Sequence, residues 1–114
     1  MTEEIKLPNN PLAESALNGA CLIDPDAVIF AAPIVSPQDF FVPVNRWIAQ
    51  AIWECYENRI APTVGAVVDR LSSAQRWSDR PSSEAVCQID IQAVLNAVTD
   101  SDITHVRANA QVIA

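Results

Sequence analysis

Apolar residues recur along this chain at steps of three and four, and prolines stand where each recurrence begins or ends. That pattern predicts short helices with sharply marked starts. Asn10 and Pro11 suit a cap and a first helical position, and PLAESALNGACLI carries the first predicted helix to Ile23. Asp24 followed by Pro25 predicts the start of a second, with Val28, Ile29 and Ala32 available for burial before Pro33 ends it. Ser36-Pro37-Gln38-Asp39 has the order of a capping box and opens a short turn bearing Phe40 and Phe41.

The strongest periodicity follows. After Pro43, the residues Val44, Trp47, Ile48, Ala51, Ile52, Cys55 and Tyr56 share one stripe, which marks this as the central core helix. The predicted core is built around Leu17, Phe40, Phe41, Trp47, Ile48, Ile52, Val67 and Leu71. At about 100° per residue, Trp53 points away from the centre of the stripe, among Arg46, Gln50 and Glu57. An exposed tryptophan there would serve as an interface anchor with those three residues around it, because a desolvated indole supplies much of the energy of a protein contact. The other reading is that the polar loop around Trp77 folds back over it.

Thr63 predicts the cap of a further helix that carries Val64, Val67, Val68 and Leu71 on one side. The stretch SSAQRWSDRPSS is polar and turn-rich, so residues 72–84 read as a surface loop. Asp90 reads as the cap of a helix with Ile91, Val94, Leu95 and Val98, and the TDSD cluster at 99–102 opens a last one with Ile103, Val106, Ala110 and Ile113. That helix reaches Ala114 without glycine, proline or a basic last turn, the pattern of a helix cut short. The expectation is a single all-α domain over 1–114, a compact orthogonal bundle of six or seven short helices, with 1–9 as a flexible arm.

Composition narrows the function. Half of the 114 residues are apolar, 18% are charged, and no run approaches the roughly 18 to 20 apolar residues of a membrane span. MTEEIKLPNN has neither the basic region nor the apolar stretch of an export signal, so the cytoplasm is the expected location, with no membrane partner. A net charge of −7 speaks against a direct grip on DNA or RNA, which needs clustered Lys and Arg. Arg59, Arg70, Arg76 and Arg80 could still form a small local patch, although solvated charges on and after a helix account for them. Cys21, Cys55 and Cys87 are too far apart for a disulfide framework or, with His105, for the close pairs of structural zinc sites, and they read as core residues. No phosphate loop, dinucleotide loop, zinc-protease or serine-elbow motif occurs. Asp24 with Asp26, and Asp100 with Asp102, stand at predicted helix starts, where capping explains them. No enzyme activity, metal or cofactor is expected.

The order of several short motifs resembles a known family. Pro8-Asn9-Asn10, Ala13-Glu14, Gly19 and Leu22-Ile23-Asp24-Pro25 are similar to the opening of the N-terminal domain of DnaB-type replicative DNA helicases. Ser36-Pro37-Gln38-Asp39-Phe40-Phe41 is similar to its aspartate, phenylalanine, aromatic signature, followed at the expected distances by Ile48 and Ala51-Ile52. Val64 and Leu71, then Ile103, Ala110, Val112 and Ile113, resemble its later helices. The departures are Leu12 and Asn18, where a glutamate and a leucine are usual, Asn45 in place of a histidine, and the missing paired glycines and tyrosine in RPSSEAVCQID. The resemblance implies a non-catalytic interaction and oligomerisation module of the primosome. Such a module pairs with itself, as a weak dimer or within a hexameric collar, and takes part in contacts with primase, helicase or a loader, while the ATPase lies in a separate downstream domain. The alternatives are a free-standing phage- or plasmid-type regulator that binds a host replication protein, and an unrelated acidic helical adaptor.

Overall fold

The computed structural model describes residues 11–98 and 103–114, without the side chains of residues 103 and 104. Asn10, the 1–9 arm and the TDSD cluster lie outside the described residues. Six α-helices and one 3₁₀ turn follow in chain order: α1 (Pro11–Ile23), α2 (Ala27–Ala31), the turn Pro37–Asp39, α3 (Pro43–Glu57), α4 (Val64–Ser73), α5 (Gln88–Asn96) and α6 (Ile103–Ile113). The protein is therefore all-helical among the described residues, with one isolated parallel bridge between Trp77 and Val86.

Helix α1 packs against α5, α6 and α3, while α3 also meets α2, α4 and the 3₁₀ turn. The two longest helices are thus covered from several directions, and their burial is wider than a single stripe. Leu17, Phe40, Ile48, Ile52 and Val67 are fully buried, and Leu71 is nearly so. Gly19 is what lets α1 and α5 approach. A Cβ built there would collide with the Val94 carbonyl oxygen and a Val98 methyl, and would come within 2.9 Å of the Val94 carbonyl carbon.

The helix starts follow local chemistry, with two corrections. Thr63 Oγ1 accepts from the Ala66 N–H at 3.2 Å, and the Ser36 N–H donates to Asp39 Oδ2 at 2.9 Å, closing the capping box on the 3₁₀ turn. Helix α2, however, begins at Ala27 with Asp26 at the cap position. Asp24 Oδ1 accepts from the Asp26 N–H at 3.2 Å, so Asp24 holds the preceding turn. At α5 the cap is Cys87, and Asp90 sits three residues on, where its Oδ2 accepts from the Cys87 N–H at 3.0 Å.

Four expectations about burial are also corrected. Phe41 is 53% exposed, because the backbone at Phe40 is extended and successive side chains of extended chain point to opposite sides, so only one of the two rings faces inward. Trp47 is half-buried: it packs against the core, and its other face carries the Arg76 guanidinium 4.4 Å from the ring centroid. Ile29 is 47% exposed and Tyr56 is 38% exposed, both where α2 and the end of α3 turn toward solvent.

The segment after α4 is tied down along its length. The Val86 N–H donates to the Arg76 carbonyl at 2.7 Å, the Ser78 N–H to the Val86 carbonyl at 2.9 Å, and Arg76 Nη1 to the Glu84 carbonyl at 2.9 Å. Arg76 thus pins its own loop while stacking on Trp47. Arg70 pairs with Glu54 at 3.2 Å, so two of the four clustered arginines have internal tasks.

Candidate protein-interaction surface

Trp53 is buried, only 7% exposed, which corrects the expectation of a solvent-facing anchor. Its ring meets the Phe40 ring edge-on, with centroids 6.2 Å apart and planes at 77°, a favoured arrangement for two aromatics. The proline-punctuated segment between α2 and α3 supplies the cover, returning over the flank of α3 that sequence periodicity marks as polar. A second stripe was present in the sequence at four-residue spacing: Asn45, Ala49 and Trp53 are all buried.

At the other end of that stripe lies a buried polar clamp. Glu14 on α1 is 1% exposed, and its Oε2 accepts from the Phe41 N–H at 2.7 Å. Its Oε1 accepts from the Val42 N–H at 3.2 Å and from Asn45 Nδ2 at 3.3 Å. These are the free donors at the entrance to α3, whose first helical residue is a proline with no N–H. A carboxyl from another helix therefore accepts from the N–H of the cap residue Val42, the task that an acid three residues on performs in a capping box. Asn18 Nδ2 donates to the Asn45 carbonyl at 2.9 Å, so two positions at which the sequence departs from the family pattern meet in one network. Asn18 Oδ1 is buried and has no hydrogen-bond partner among the described residues.

The three residues grouped around the expected anchor separate. Arg46 is half-buried and faces the clamp: its Nε donates to the Phe40 carbonyl at 3.0 Å and its Nη2 to the Phe41 carbonyl at 3.2 Å. Gln50 and Glu57 are exposed and line, with one edge of Trp53, a surface groove of about 450 Å³ that runs beside Pro37 and Tyr56. Tyr56 also lines a second hollow of about 330 Å³ with Ile29 and Ile60, so the two hollows share its side chain. Sequence reasoning missed Ile29 and Tyr56 as surface residues because their spacing suits a core, and it made no assignment for Ile60.

Nothing in this arrangement has the makings of a reaction centre. Cys21, Cys55 and Cys87 are free thiols with buried side chains. Burial, with a smaller contribution from Asp24, pushes the Cys21 thiol up to about 12, so it stays protonated at neutral pH and is a poor nucleophile. Burial also raises Cys55, against a partial opposing pull from Arg70. Among the described residues no three metal-donor side chains lie together, and no helix is long and apolar enough to cross a membrane. His105 is exposed on α6.

Comparison with known proteins agrees with this picture of a helical scaffold. The structure is similar to that of the N-terminal domain of DnaB helicase from Mycobacterium tuberculosis, with a TM-score of 0.77 at 17% sequence identity, covering 93% of this chain and 72% of that one. No curated protein matches the chain. The model of the DnaB-like helicase N-terminal domain matches residues 6–108. With that match spanning nearly the whole sequence, on a bundle of the same fold, the chain belongs to the DnaB-like helicase N-terminal domain family.

Proposed function

We propose that this chain is a non-catalytic interaction and oligomerisation module of a replicative DNA helicase, contributing to subunit pairing and to contact with primase or a loader protein in the cytoplasm. The observation that carries the reading is the family match over residues 6–108. The distribution of chemistry supports it: the buried polar groups, Glu14, Asn18 and Asn45, are spent on holding α1 to α3. The exposed residues include large apolar side chains, among them Leu12, Phe41, Ile60 and Ile89, that suit protein contacts, and the net charge of −7 disfavours phosphate backbones.

Self-pairing and partner contact are tested together. Sedimentation equilibrium of the 114-residue chain is expected to show a concentration-dependent, weak dimer. Affinity capture from a lysate of the source cell, with the chain as bait, is expected to retain primase, helicase or a loader, identified by mass. A strictly monomeric chain that retains none of these would remove the reading and leave the shared fold alone.

A further inference from the structure

Resting on the reading of this chain as an interaction module, we infer that the groove around Tyr56 takes an amphipathic helix of a partner protein that carries lysine or arginine beside its apolar residues. Two observations point to that chemistry. First, Ile29, Tyr56 and Ile60 are 47%, 38% and 46% exposed, and together they line one hollow. Large side chains left in water on neighbouring segments form an apolar strip that a helix face would cover.

Second, the surrounding charge is one-sided. Helix α3 ends beside this hollow, at Glu57, one residue after Tyr56, and has no basic residue in its last turn. A helix C-terminus carries partial negative charge, which a basic residue in the last turn usually balances. Here α3 adds Glu54 and Glu57 in the neighbouring groove, and Asp26 lines the hollow itself. Arg70 offsets Glu54, and Arg59 is the single cation lining the groove. A cationic helix would supply the missing charge at the end of α3. A second copy of this chain would bring the same carboxylates to the contact and a further net charge of −7, so like charges would face each other.

The probe is an 18-residue helical peptide of leucine and lysine with leucines on one face, titrated into the 114-residue chain and followed by backbone amide NMR. The expected result is saturable shifts concentrated at Ile29, Tyr56 and Ile60. Affinity should drop at least tenfold in Ile60→Ser and in Glu57→Lys, and should weaken with added salt. Phe41→Ser, which changes an exposed aromatic outside the groove, should leave affinity unchanged. The same peptide with glutamate for lysine should not bind. Equal binding of the two peptides, shifts mapping elsewhere, or no shifts would overturn the inference. So would shifts at these residues that grow with protein concentration in the absence of peptide, because the occupant would then be a second copy. If the wild-type chain captures replication proteins from the lysate and Ile60→Ser captures them equally well, the groove assignment fails while the module reading stands.

Discussion

The two ends of α3 are built on opposite terms. At its start, polar groups are buried and paired: Glu14 receives three donors and Arg46 spans the Phe40 and Phe41 carbonyls. At its finish, apolar groups are exposed, with Tyr56 and Ile60 facing water beside Glu57. Burying polar groups costs free energy unless each finds a partner, and leaving apolar ones in water forgoes a gain. The first end meets its cost with hydrogen bonds and so specifies how α1, the 3₁₀ turn and α3 fit together. The second end gives up stabilisation without a return inside the fold, the pattern of a surface kept for contact.

Three substitutions would break or sharpen that contrast. The largest effect is expected at Trp53, which lies between the two ends and belongs to the fold. Trp53→Ala should cost about 3 to 5 kcal/mol by opening a cavity against Phe40, comparable to the total stability of a small domain, and thermal melting by circular dichroism would read it. A melting temperature close to the wild type would return Trp53 to the surface. Next is Glu14→Gln. An amide retains one acceptor and turns its N–H₂ either toward the Phe41 donor or toward the Val42 and Asn45 donors, so a loss of about 3 kcal/mol is expected in urea unfolding. A loss below about 0.5 kcal/mol would mean that the α3 entrance is satisfied in another way. The smallest is Ile60→Ser, expected to change stability by less than about 0.5 kcal/mol because its side chain is already half in water. A large drop in its denaturation midpoint would make that end of α3 part of the core and dissolve the contrast.

Much of this architecture was legible in one sequence because the signals are local. Pro43, Thr63 and the Ser36 to Asp39 box mark element starts through their own backbone geometry and hydrogen bonds, with no help from distant residues. The stripe through Ile48 and Ile52 is likewise local, set by the helical repeat. The surface was harder to read. Periodicity identifies one apolar face but does not say how many neighbours a helix has, and α3 has them on several sides. Trp53 was therefore misplaced as exposed, Phe41 as buried, and Ile29 and Tyr56 as core. The order of motifs led to the family where individual burial assignments failed, because order integrates many weak signals over the whole chain.

What the sequence by itself determined is the helical class, most element boundaries, the absence of catalytic and nucleotide-binding motifs, and an acidic character unsuited to nucleic acid. Only the tertiary structure decided that Glu14 accepts from Phe41, 27 residues away, that Gly19 seats α5, and that the segment after α2 closes over Trp53. The reason is one of range. Caps, prolines and periodicity act within a few residues of themselves, whereas a buried carboxyl finds its donors, and an indole its cover, only once distant segments have packed together.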